Sequence, residues 1–172
     1  HGSAACDKAL EFRVAIDPTL PRVLLGDEHR LRQVMVNLVS NAIKYSPMHG
    51  EVTVLLSRAA IDGHEGGRER IRIEVRDQGP GIALAEQAAI FEPFQQASFK
   101  AKTAVESTGL GLAIVSQLVE LMGGEVGVES AVGEGCTFWV ELLLDQATAT
   151  GGDTVSPTES EDGPQSDPVC PP

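Results

Sequence analysis

Aromatic side chains are scarce in this sequence: one tryptophan, one tyrosine and five phenylalanines, 4% of 172 residues. Leu, Val, Ile and Ala must therefore fill whatever core forms. Basic residues are also few, with 13 Lys and Arg against 25 Asp and Glu, a formal net charge of −12. Proteins that coat DNA or RNA usually carry the opposite sign, so no nucleic-acid partner is expected. The three cysteines, Cys6, Cys136 and Cys170, form an odd and widely spaced set. Neither a metal spacing nor a disulfide framework follows, and the simplest reading is a reduced, cytoplasmic protein. No run of about 18 apolar residues occurs, so no spanning segment and no direct membrane contact are expected. No signal peptide is visible. His1-Gly2-Ser3 reads as a cloning scar, which leaves targeting and membrane anchoring of a longer parent chain open.

What is present supports one domain of ordinary size, with 42% apolar residues for its core. The acid is unevenly placed. Six acids and no Lys or Arg fall between Asp145 and Pro172, together with five of the ten prolines. Such a stretch buries too little apolar surface to offset its ordering entropy. The expected division is a scar and lead-in over 1–9, a folded domain over 10–144, and a disordered acidic Pro-rich tail or linker over 145–172.

Leu10 to Ile16 alternates apolar and polar residues, as a half-buried strand does. Asp27 is a helix N-cap candidate, and the helix it opens runs to about Tyr45, where Ser46-Pro47 stops it. Val52–Ser57 and Arg70–Asp77 read as strands joined by a Gly-rich, charged hairpin loop. A turn cluster at 77–81 leads to a short helix over Leu84–Phe91, and Glu92–Thr108 reads as a mobile loop. A helix over Gly109–Met122 ends at Gly123-Gly124. Glu125–Ser130 and Cys136–Leu144 form a last strand pair. The predicted fold class is an α/β two-layer sandwich with a mixed, largely antiparallel sheet and helices on one face.

On the first helix Leu31, Val34, Met35, Leu38, Ala42 and Tyr45 form one apolar stripe at about 100° per residue. Asn37, Asn41 and Lys44 stack along its border at i, i+4 and i+7. Two amide oxygens and an ammonium in a line suit a hard cation that shares phosphate oxygens, although Asn and Lys also populate plain solvated helix borders. Asp77-x-Gly79-x-Gly81 directly follows a strand. An ionised Asp accepts hydrogen bonds only, so it suits the amino group of a base such as adenine, and glycines let backbone approach a flat ligand. Asp, Gly and Pro equally build ordinary turns. Gly109-Leu110-Gly111-Leu112 opens a helix, whose free N–H groups favour phosphate. It is neither a Walker loop nor a dinucleotide fingerprint.

The order and spacing of these pieces resemble the catalytic, ATP-binding domain of two-component sensor histidine kinases. Its nucleotide-binding fold, the Bergerat fold, is shared with gyrase, heat-shock chaperone and mismatch-repair ATPases. The resemblance covers about Phe12 to Leu144. An N box spans Asp27 to Ser46, with Asn37-Leu38-Val39-Ser40-Asn41-Ala42-Ile43-Lys44-Tyr45 at its centre. A first glycine box reads Asp77-Gln78-Gly79-Pro80-Gly81-Ile82, an F box Ile90-Phe91-Glu92-Pro93-Phe94, and a second glycine box Thr108-Gly109-Leu110-Gly111-Leu112. The closing strand pair carries Gly133-x-Gly135-Cys136-Thr137-Phe138.

The resemblance implies ATP and Mg²⁺ as cofactors and assigns roles by position. Asn37 and Asn41 hold Mg²⁺ and the phosphates, Lys44 touches a phosphate, and Tyr45 lies against the nucleoside. Asp77 accepts from the adenine amino group, with Gly79, Gly81 and Ile82 shaping the turn. Thr137 supports adenine recognition from the sheet. Gly109 and Gly111 hinge a lid and offer backbone donors to the phosphates, Thr108, Leu110 and Leu112 join them in the nucleotide-binding set, and Phe94 anchors the lid base. Lys100 and Lys102 fall within that lid, where a solvated loop charge is the simpler reading. The fold's ATPases and serine-directed kinases carry Glu where this chain has Asn37, and an amide is a poor base near neutral pH. That favours phosphoryl transfer to a protein group over hydrolysis.

The family's second glycine box usually carries glycine where this chain has Glu106 and Ser107. None of His1, His29, His49 and His64 sits as an acceptor histidine does, so the fragment is not expected to phosphorylate itself. The implied partners are a dimerisation and histidine-phosphotransfer domain of a parent kinase and a downstream response-regulator receiver domain. A nucleotide-sensing pseudokinase module is the alternative, with Glu106-Ser107 as its main support.

Overall fold

The computed structural model describes residues 8–59, 67–94 and 109–146. Their elements run β1 (Glu11–Ile16), β2 (Leu24–Leu25), α1 (Glu28–Tyr45), β3 (Glu51–Arg58), β4 (Arg68–Asp77), α2 (Leu84–Gln87), a 3₁₀ turn (Ala89–Phe91), α3 (Gly111–Leu121), β5 (Glu125–Ser130) and β6 (Cys136–Gln146). The strands form one six-stranded sheet in the order β1-β3-β4-β6-β2. β5 and β2 pair with successive stretches of β6. β1 and β3 are parallel and every other pair is antiparallel. The sheet is thus mixed and largely antiparallel, with α1 and α3 packed on one face, as the patterning predicts.

The two faces follow from the two-residue period of a strand. On β4, Ile71, Ile73, Val75 and Asp77 are buried toward the helices, while Arg68, Arg70, Arg72, Glu74 and Arg76 occupy the other face. The core joins Val34, Leu38 and Ala42 of α1 to Val115 and Val119 of α3. Beneath them lie Val52, Val54, Val75, Phe138, Val140 and Leu142 of the sheet. Asp27 caps α1 by accepting from the Arg30 amide at 3.0 Å. The chain leaves the helix at Ser46, whose amide still donates to the Ala42 carbonyl before Pro47 prevents another turn.

Several expectations are corrected here. The segment Leu84–Phe91 is not one helix but a four-residue α2 followed by a 3₁₀ turn. β2 escapes the patterning because it has only two residues. β6 continues to Gln146, two residues beyond the predicted edge at 144. Lys8, assigned to the lead-in, is bonded into the folded part. Most of the predicted hairpin loop between β3 and β4, most of the loop before α3 and the acidic tail beyond residue 146 lie outside the described residues.

Candidate functional site

Three segments meet on the helical side of the sheet: the border of α1, the turn after β4 and the start of α3. Asp77 ends β4 in register with Cys136 and is only 7% exposed. Its Oδ1 accepts from the Gly79 amide at 2.8 Å. Burial pushes the carboxyl up to about 6, and the Gly79 and Cys136 amides partly oppose that rise. The carboxylate is paired with backbone donors, and no described ion pair compensates it. Gly79 allows this geometry, because a methyl group there would lie 2.7 Å from Asp77 Oδ1 and 3.1 Å from the Tyr45 carbonyl. The same measurement shows that Asp77 and the end of α1 are neighbours. Gly81 holds φ at 73°, and a side chain there would collide with the Ala131 carbonyl.

At the other end of the site, Gly111 begins α3 beside the amides of α1. A methyl on Gly111 would lie 3.6 Å from Asn37 Oδ1 and 3.9 Å from Asn41 Nδ2. Leu110, the N-cap of α3, makes no side-chain hydrogen bond to the first amides of the helix. Leu110 is the half-buried N-cap, Gly109 before it holds φ at 69°, and Leu112 packs against the core. The Lys44 ammonium lies 5.7 Å from the centroid of the Tyr45 ring. The described residues contain no cluster of three or more His, Cys, Asp or Glu able to hold a metal by themselves. The amide oxygens of Asn37 and Asn41, next to a helix N-terminus, fit instead a hard cation that is also liganded by phosphate.

A polar clamp holds the turn after β4 in place. The Ser130 hydroxyl accepts from the Ile82 amide at 2.9 Å and donates to the Gly135 carbonyl at 2.6 Å. It also lies 3.3 Å from the Cys136 sulfur. Gln87 donates to the carbonyls of Ile82 at 3.1 Å and Ser130 at 2.7 Å. This ties the turn, the β5–β6 hairpin and α2 together around Asp77.

The structure brings Asn37, Asn41 and Gly111 together, and separately Tyr45, Asp77 and Gly79. Thr137 and Phe94 join neither group by any described contact. Thr137 pairs with Arg76 and so points to the face away from the helices. The residue on the Asp77 side is Cys136, whose thiol is pushed up to about 11, first by burial and then by the Asp77 charge. Phe94 is 76% exposed, beside the undescribed stretch 95–108, while Phe91 packs edge-on against Phe138 at 6.4 Å. Thr108, Lys100, Lys102, Glu106 and Ser107 lie outside the described residues. Ser130, Gln87 and Cys136 were not expected in the site. The period-two rule applied from Asp77 across the strand pair is the signal that finds Cys136.

Residues 26–146 match the family model described as histidine kinase-, DNA gyrase B- and HSP90-like ATPase. The chain is 42% identical over 147 residues to the sensor histidine kinase AruS of Pseudomonas aeruginosa, a match over 86% of this chain and 14% of that protein. It is 40% identical over 144 residues to the sensor protein GacS of Pseudomonas syringae, over 84% of this chain and 15% of that one. The chain thus spans about a seventh of the length of these relatives. Among solved structures, full-length ShkA in complex with AMPPNP superposes with a TM-score of 0.70 at 41% identity, over 86% of this chain and 28% of that one. No helix among the described residues is long and apolar enough to cross a membrane. The chain belongs to the histidine kinase-, DNA gyrase B- and HSP90-like ATPase family, and within it is a catalytic ATPase domain of the histidine-kinase type.

Proposed function

We propose that this domain binds Mg-ATP between α1, the turn after β4 and the start of α3, and donates the γ-phosphoryl group to a histidine on a separate dimerisation and phosphotransfer domain. The observation that carries this reading is the buried Asp77 at one end of the site, with Asn37 and Asn41 beside the uncapped α3 terminus at the other. One end offers an acceptor for an adenine amino group, and the other offers donors and hard oxygens for phosphate. The AMPPNP bound to ShkA is consistent with the same class of ligand.

Each residue has a distinct task. Asp77 orients the base through its second carboxylate oxygen while the Gly79 amide holds the first. Tyr45 supplies a face for the nucleoside. The first amides of α3 and the Lys44 ammonium neutralise phosphate charge, which is most of what phosphoryl transfer asks of a protein. Asn37 and Asn41 would hold Mg²⁺, which offsets phosphate charge when bound. With Asn at position 37, no general base stands at the place the fold's hydrolases use, so the accepting nucleophile comes from the partner histidine. Downstream, the phosphoryl group passes to a receiver domain, the role suggested by the long sensor kinases this chain resembles.

Calorimetric titration of ATP, with and without Mg²⁺, into the wild type and Asn41→Ala tests the site. Mg²⁺-dependent binding lost in the variant supports it, and absence of binding by the folded wild type removes it. Radiolabel transfer to a cognate acceptor domain then separates a kinase from a module that only senses nucleotide.

A further inference from the structure

The segment leading into β1 is fastened to the far end of α1. The Lys8 ammonium donates to the carbonyls of Ile43 at 3.0 Å, Lys44 at 2.7 Å and Ser46 at 3.1 Å. An ammonium has three N–H donors, and here each ends on a carbonyl at the helix terminus. The charge also sits at the negative end of the helix dipole. The Lys8 carbonyl in turn accepts from the His49 amide at 3.0 Å, so its side chain grips the last turn of α1 and its backbone the loop that follows.

This junction is held together against several local costs. Ala9 holds φ at 50° and His49 at 59°, both in the left-handed region that glycine prefers. The Ser46 hydroxyl is buried with no partner among the described residues. Such costs persist where surrounding contacts over-determine the geometry, and they collect at functional junctions. The turn gripped by Lys8 is the one that carries Lys44 and Tyr45, one turn beyond Asn41. The Tyr45 carbonyl also borders Gly79 beside Asp77.

We infer that Lys8 is a positioning residue for the nucleotide site, coupling the chain that enters β1 to the last turn of α1. The inference rests on the ATP-binding reading above. Lys8 itself touches neither Asn37, Asn41 nor Asp77 by any described hydrogen bond; it acts through the turn. Displacement of the entering segment would therefore change nucleotide affinity without altering a residue of the pocket.

The test compares the full 172-residue wild type with Lys8→Met, Lys8→Gln and Lys8→Arg. Backbone amide exchange is measured without ligand, and ATP with Mg²⁺ is titrated by calorimetry. In Lys8→Met, exchange over Ile43–Ser46 should rise about tenfold while α3 amides stay unchanged, and ATP should bind about fivefold more weakly. Lys8→Arg, which keeps the charge, should recover part of both effects, and Lys8→Gln replaces Lys8→Met if the latter does not fold. Unchanged exchange in the last turn, or a uniform rise across α1 and α3, overturns the inference. So does local loosening with wild-type ATP affinity. Failure of the wild type itself to bind ATP removes the nucleotide reading and this inference with it, an outcome distinct from equal binding by wild type and variant.

Discussion

Glu74 and Asp77 lie three residues apart on β4 and are almost equally buried, at 8% and 7% exposure. Their electrostatics run in opposite directions. Burial raises both carboxyls, but hydrogen bonds and charge from Arg76 and Arg72 outweigh burial at Glu74 and leave it below its ordinary value. Asp77 has only backbone amides and is left at about 6. The odd spacing puts the two acids on opposite faces of the sheet. On the outer face Arg72 alone contacts Glu74 at 2.8 Å and both Glu129 and Glu141 at 2.9 Å, and it stacks over Trp139 at 4.5 Å. That face compensates its charges and serves as scaffold. The inner face leaves one carboxylate without a described cation, which suits the proposed acceptance of a ligand's amino group.

This contrast can be broken most directly at Asp77. Asp77→Asn should weaken ATP binding by about 1–3 kcal/mol, because a pure acceptor becomes a mixed amide. The same variant should be no less stable than wild type, since an amide carries no charge to desolvate. Calorimetry and urea denaturation on one preparation read both effects. Arg72→Met should do the reverse. It removes one cation from Glu74, Glu129 and Glu141, although Arg76 stays on Glu74 and Arg70 near Glu141, and should cost about 1–3 kcal/mol of stability in urea, with ATP affinity within about twofold of wild type. A variant at either position that moved both quantities equally would erase the distinction between the faces.

A pH series sharpens it further. Asp77 titrates near 6 when folded and near 3.8 unfolded, so between these values folding takes up a proton. Its protonated form favours the fold at low pH, and that contribution is lost as pH rises through about 6. Binding runs the other way, because the ionised form accepts at both oxygens, whereas protonation turns one of them into a donor that faces the amino group or the Gly79 amide. ATP affinity should fall about tenfold from pH 7 to pH 5 in wild type and change less in Asp77→Asn. The smallest effect is expected at the clamp. Ser130→Ala leaves the Ile82 amide without its partner and should cost about 1 kcal/mol of stability, measured by thermal unfolding, with a smaller loss of ATP affinity.

Much of this was legible in the residues. The period of α1, its Asp27 cap and the Ser46-Pro47 stop are local signals, and the helix runs from Glu28 to Tyr45. The strand pattern and glycine turns likewise placed Asp77 at a strand end. Three features were hidden because they depend on partners distant in the chain. Thr137 and Cys136 differ by one position, and only the register with β4 decides which faces Asp77. Phe91 and Phe94 are both aromatic near one turn, and only packing against Phe138 selects Phe91. The Lys8 clamp spans 35 to 38 residues in sequence and has no periodic signature.

The place of β6 in the sheet has a consequence for biosynthesis. It is the last described strand, yet it pairs with β4 along its whole length on one side and with β5 and β2 on the other. A ribosome makes this chain from the other end. β1, β3 and both long helices therefore leave the exit tunnel before the strand that completes their core, and the half-made sheet exposes Val75 and its neighbours at an open edge. The proposed nucleotide site is therefore completed late in synthesis, and a nascent chain that ends before β6 should leave exposed the apolar face which Phe138, Val140 and Leu142 help to close.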